Sequence, residues 1–106
     1  MDTFNQHNQF GNNYMNFGPQ PRQLNDSLKN QLKSMIPSGS KVIVTSVLGD
    51  GEAYNFASQN KDYLEQQGYS VEGVNQAIYS QQPKGQFVEP PKNSGDPYNL
   101  IIGNNL

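Results

Sequence analysis

Residues 41–48 read KVIVTSVL and run straight into Gly49-Asp50-Gly51-Glu52. A short, nearly continuous β-branched run of this kind is the pattern of a strand covered on both faces. Beyond the loop, Ala53, Phe56, Ala57 and Leu64 recur at helical spacing, which predicts a helix over 53–67. Gly68 stands where a left-handed C-cap residue belongs. Residues 69–79 then read as a second strand, with Val71 on one phase of its alternation and Val74 and Ile78 on the other. Gly73 between them predicts a bulge or a change of face. Strand, helix and strand in succession form a βαβ unit, whose crossover is expected to be right-handed and whose strands are therefore parallel.

The rest of the chain must fit around that unit. Leu24, Leu28, Leu32, Met35 and Ile36 predict a helix over 25–36 with one apolar face. Asn25 or Asp26 can cap its start, and Pro37-Ser38-Gly39 ends it. Residues 81–85 turn the chain, 86–88 are a short edge strand, and the proline-containing loop to Pro97 leads to a last strand over 98–103. The apolar triplet Leu100-Ile101-Ile102 gives that strand a central position. The expected fold class is α/β, with a small, mostly parallel three- to four-stranded sheet and two helices over 24–106. The helical stripe of 53–67 has one polar member, Asn60. It is expected at the stripe's edge, bonding outward, because an unpaired buried amide costs ~1–3 kcal/mol; a buried amide held by a partner is the alternative.

Residues 1–23 form a separate low-complexity tail. Nine of them are Asn or Gln, out of 26 in the 106-residue chain, and Asp2 and Arg22 are its only charges. Phe4, Phe10, Tyr14 and Phe17 are spaced through it. Such composition cannot build a core, so disorder is the default expectation. The same amides and aromatics can pair as strands between chains, which makes self-association through the tail the alternative. His7 is expected to be exposed there. The chain has no cysteine and a single histidine, so disulfides, thiolate metal sites and two-imidazole sites are excluded. No apolar run reaches the length of a membrane span, and no signal peptide pattern opens the chain, which points to a cytoplasmic location. A net charge of −2 argues against duplex nucleic acid as a partner.

In parallel α/β sheets, ligands bind beyond the carboxyl ends of the strands. That rule collects Gly49, Asp50, Gly51 and Glu52 after the first strand, the region around Gln81 to Gly85 after the second, and Gly103-Asn104-Asn105 after the last; the candidate binding residues are Gly49, Asp50, Gly51, Glu52, Gly103 and Asn104, joined by Asn75 and Gln76 of the second strand and Lys84 and Gln86 of the turn. The two glycines permit close approach of a partner, and the helix start offers unsatisfied N–H groups. Against this, Asp50 makes a good N-cap and Glu52 suits the positive end of the helix dipole, so both carboxylates have a purely structural role open to them. Tyr54, Tyr63, Tyr69 and Tyr79 lack a neighbouring Lys/Arg stripe and are expected to pack. No residue pattern calls for a catalytic site, a metal site or a cofactor.

The stretch VIVTSVLGDGEAYNFA resembles the strand–loop–helix of P-loop ATPases of the ParA and bacterial tyrosine kinase type. A Walker A loop, however, requires glycine, lysine and Ser/Thr where this chain has Ser46, Glu52 and Ala53, and two carboxylates repel a phosphate; nucleotide triphosphate hydrolysis is rejected. VIVTSVLGDG (42–51), the helix up to Gln67, GYSVEGVNQA (68–77) and the terminal YNLIIGNN are similar to the C-terminal domain of LytR-type cell-envelope proteins, with L-G-D-G in place of that family's N-G-T-G turn. The whole chain also looks like uncharacterised bacterial proteins in which an Asn-rich tail and GPQPR (18–22) precede such a domain. The resemblance to the LytR-type domain implies a small α/β accessory module attached to something else.

The function expected on these grounds is a non-enzymatic binding or assembly module. Its partner is another protein, or a second copy through the tail, with a small polar ligand also open. The alternative is a small enzyme acting on a nucleoside or sugar substrate, with Asp50 or Glu52 as base or nucleophile and Asn75 or Asn104 orienting the substrate.

Overall fold

The computed structural model describes residues 8–9 and 21–105. The expectations for His7 and for disorder in the amide-rich tail lie outside the described residues.

Helix α1 (Asp26–Met35) opens on Asn25, whose side chain accepts the Leu28 N–H at 2.9 Å. The cap fixes where the helix starts, and Pro37 follows shortly after its end. Strand β2 (Lys41–Val47), helix α2 (Gly51–Gln66) and strand β3 (Ser70–Ala77) form the βαβ unit, and β2 and β3 pair in parallel as expected. Strand β4 (Gln86–Glu89) and strand β5 (Tyr98–Ile102) complete a four-stranded mixed sheet in the order β4-β5-β2-β3. β5 is parallel to β2 and β4 is antiparallel to β5. The two-residue strand β1 (Asn8–Gln9) pairs antiparallel at the outer edge of β4. The sheet is therefore mostly parallel, and the apolar triplet of β5 is central.

The register slips at one place. Ile43 is opposite Glu72, whereas Thr45 is opposite Asn75, so Gly73 and Val74 share the position facing Val44. Gly73 has φ +124° there, and a Cβ on it would meet the backbone oxygen of Val44. The bulge needs glycine for both reasons.

One face of the sheet carries the core. Val42 and Val44 of β2, Leu100 and Ile102 of β5 and Val88 of β4 pack with Leu32 and Ile36 from α1 and with Ala53, Phe56, Ala57 and Leu64 of α2. Tyr69 joins them and donates its hydroxyl to Ile36 O at 2.7 Å. Its burial raises the phenol pKa, which keeps that donor protonated. On the opposite face Ile43, Thr45 and Ile101 are only half-buried. The two-sided burial expected of β2 is thus uneven, because both helices contribute their apolar stripes to the same face.

Asn60 departs from expectation. It is fully buried instead of lying at the stripe's edge. Its amide NH₂ donates to Phe56 O, one turn back on its own helix, at 2.7 Å, which removes much of the cost of burying it. Its Oδ1 has no partner, as is also true of Ser46 Oγ on β2. Tyr54 departs too: it is exposed, whereas Tyr69 is buried.

Candidate functional site

The parallel strands β2, β3 and β5 all end on one side of the sheet. β4 runs the other way, so its first residue, Gln86, sits opposite Ile102 at that same end. Here the chain turns from β2 into α2. Gly49 makes the turn possible with φ +89°. Asp50 is the N-cap of α2, its Oδ1 accepting the Ala53 N–H at 3.0 Å. Its other oxygen, Oδ2, accepts the side-chain amide of Asn104 at 2.7 Å. Burial alone would raise the Asp50 pKa. The N–H of Ala53, the amide of Asn104, the N–H of Glu52 and the charge on Arg22 together outweigh it, and the carboxyl is held below the ordinary carboxylate range.

Glu52, in the first turn of α2, is engaged by Arg22. The Arg22 Nε reaches Glu52 Oε2 at 3.0 Å, and Nη2 reaches Oε1 at 2.7 Å. The backbone N–H of Arg22 also donates to Oε2, at 2.7 Å. Nη1 donates to Gly85 O at 3.3 Å and to Gln86 Oε1 at 3.1 Å, and Nη2 to Gly103 O at 2.7 Å. The guanidinium lies 4.9 Å from the centre of the Phe56 ring. This is a planar fork matched to a carboxylate and stacked on an aromatic face, a geometry lysine cannot reproduce. The side chain is 6% exposed, so these bonds form away from bulk water.

The loops that frame the guanidinium hold one another. Gly103 N–H bonds to Gly85 O at 2.7 Å, Gly85 N–H to Asn104 O at 2.8 Å, and Asn104 N–H to Pro83 O at 2.9 Å. Lys84 and Asn104 form a parallel bridge. Gly103 has to be glycine, since a Cβ there would fall onto the backbone oxygen of Pro83 and 2.6 Å from its carbonyl carbon.

Six of the sequence-derived positions thus meet around one centre: Asp50, Glu52, Gln86, Gly103 and Asn104 by their polar groups, and Lys84 through its backbone bridge. Gly49 and Gly51 build the turn beneath them. Asn75 and Gln76 stand apart, exposed on the edge strand β3. The centre itself, Arg22, was missed: the sequence reading assigns it to the tail. Its one sequence signal is that it is the sole arginine of the chain. Chemically, the carboxylates are committed. Asp50 caps α2 and holds Asn104, and Glu52 neutralises Arg22. Among the described residues, no three of His, Asp and Glu gather as metal ligands, and no helix is long and apolar enough to cross a membrane.

A shallow concavity beside the ion pair is lined by Pro21, Arg22, Gln23, Glu52, Asn55 and Gln59. Comparison with protein families, with curated proteins and with solved structures finds no match.

Proposed function

We propose that the chain is a non-enzymatic binding or assembly module whose working surface is the carboxyl end of the sheet and the segment leading into α1. The observation that carries this reading is where exposed apolar side chains fall. Among the described residues, the large hydrophobic ones that are exposed are Leu48, Tyr54 and Ile78. Leu48 directly follows β2, Tyr54 lies in the first turn of α2, and Ile78 directly follows β3. All three belong to the end of the sheet where parallel α/β domains receive their ligands. Apolar surface concentrated at one end favours a protein partner over a small polar ligand. The amide-rich, aromatic-dotted composition of residues 1–20 favours a second copy as that partner. The resemblance to an accessory domain of cell-envelope proteins agrees with a module of this kind. Asp50 is paired with Asn104 and Glu52 with Arg22 at the same end, which supports binding through surface in preference to acid–base chemistry on these carboxylates.

The test is light scattering on the full chain over a concentration series. The expected result is a mass that rises beyond the 11.8 kDa of one chain and falls back to it when Leu48 and Ile78 are both replaced by Ser. A single-chain mass at every concentration overturns the reading.

A further inference from the structure

The two edges of the sheet differ. On one side β1 pairs along β4. On the other, no described strand pairs with the outer edge of β3 (Ser70–Ala77). An open edge is a template for another strand, and proteins guard such edges with charges, prolines or bulges. The first half of β3 is guarded in this way: it carries Glu72, the strand's only charge, and the bulge at Gly73 and Val74 follows. The second half is not. Residues 74–78 read VNQAI, with neither a charge nor a proline.

The bonding to β2 fixes which peptide groups of this half point outward. Ala77 O accepts the Leu48 N–H at 2.9 Å, so Ala77 turns its peptide groups toward β2. In a parallel ladder alternate residues face the neighbouring strand, so Asn75 does the same. Gln76, between them, turns its N–H and C=O away from β2, and Val74 and Ile78 flank it in the same phase. The side chains of Asn75 and Gln76 are exposed, and Ile78, at 78%, is the most exposed large hydrophobic residue among those described. The bond to Ala77 also sets the exposed Leu48 beside this strand end.

We propose that residues 74–78 of β3 pair antiparallel with the same residues of a second copy, about a two-fold axis at Gln76, joining the two sheets into one. The proposal rests on the assembly reading above and gives that assembly its contact. The occupant is a second copy because the segment matches itself. With Gln76 opposite Gln76, the outward-facing residues 74, 76 and 78 of one copy meet 78, 76 and 74 of the other, which is the register an antiparallel ladder requires. Ile78 of each copy then lies opposite Val74 of the other, so the exposed side chain gains an apolar neighbour. The two Gln76 side chains face each other, as in an amide ladder. Glu72 falls outside the paired segment, so no like charges are opposed.

The test uses full-length variants at position 76, with sedimentation velocity over a concentration series as the readout and circular dichroism to check folding. Gln76→Pro removes an N–H that the β2–β3 ladder does not use, and proline is tolerated on an edge strand in that orientation. The unaltered chain is expected to reach twice the 11.8 kDa chain mass. Gln76→Pro should dimerise at least about tenfold more weakly, because it deletes both hydrogen bonds exchanged at the axis. If Gln76→Pro does not fold, Gln76→Lys and Gln76→Glu carry the test. Each alone opposes like charges across the axis and should dimerise more weakly than the unaltered chain, whereas an equimolar mixture should dimerise more tightly than either. Dimers undiminished by these variants, or a mixture no tighter than its components, overturn the β3 pairing while leaving the assembly reading in place. A single-chain mass for the unaltered chain at every concentration overturns both.

Discussion

Arg22 and Glu52, thirty positions apart, are joined by three hydrogen bonds, two from the guanidinium and one from the Arg22 backbone. Replacing Arg22 by Ala takes the guanidinium from the Glu52 carboxylate, the Gln86 side-chain oxygen and the Gly85 and Gly103 carbonyls, while Gly85 O keeps the Gly103 N–H and Glu52 keeps the backbone N–H of position 22. Removing one partner of a largely buried ion pair is costly, and about 3 kcal/mol of stability should be lost. Arg22→Lys should recover little of it, because an ammonium offers three donors from a point instead of five from a plane. Urea unfolding of both variants against the unaltered chain checks this. A loss under about 1 kcal/mol for Arg22→Ala would show the network to be incidental.

The Asp50–Asn104 bond predicts a pH dependence. The Asp50 carboxyl is held below its ordinary range when folded. The unfolded chain therefore binds more protons in that window, and stability is lost as pH falls from about 4 through the folded value. Above that window the contribution is fully present. The stability gap between the unaltered chain and Asp50→Asn should accordingly be largest near neutrality and shrink below about pH 4. Urea midpoints at pH 7 and pH 3 measure it, and a gap that widens in acid would contradict the assignment.

Gly103→Ala should be among the most damaging single-methyl additions. The new Cβ falls against the backbone of Pro83, and backbone cannot rotate away as a flexible side chain can. The strand end has to move, taking Gly103 O from Arg22. A loss of about 2–3 kcal/mol is expected in thermal or urea unfolding. The Arg22→Ala and Gly103→Ala effects should be non-additive, since both break the same network.

Ser46→Ala tests the opposite sign. The Ser46 hydroxyl is buried without a partner, and removing such a group costs no hydrogen bond. Stability should stay level or rise by up to about 1 kcal/mol. A marked fall would reveal that the hydroxyl is bonded after all.

What could be read from the sequence, and what could not, follows from the range of the forces involved. Local signals placed α2: Asp50 at its cap, Glu52 in its first turn, and apolar residues at helical spacing behind them. The β-branched run of β2 and the apolar triplet of β5 marked the inner strands. The strand-end rule points to Glu52, Gly103 and Asn104, and Gln86 belongs to the candidate turn beside them. Arg22 escaped because its partners lie 30 to 81 positions away and a single residue in a polar segment has no periodicity to show. Asn60 escaped for a different reason: an amide in an apolar stripe looks like an edge residue unless its bond to the i−4 carbonyl is known. The uneven covering of β2 was hidden too, since an apolar run does not say which face the helices choose.

The bond from Arg22 to Gly103 O spans 81 positions of a 106-residue chain. It acts as a noncovalent clasp that closes nearly the whole domain into one loop. Fraying at the end of β5 cannot proceed without releasing the segment before α1, and the reverse holds equally. In amide hydrogen exchange, the backbone N–H groups of Leu24, Gly85, Gly103 and Asn104 should therefore open together, with a single free energy, as one cooperative unit. Terminal segments usually loosen separately and first; in this fold, two segments far apart in sequence share a single opening event.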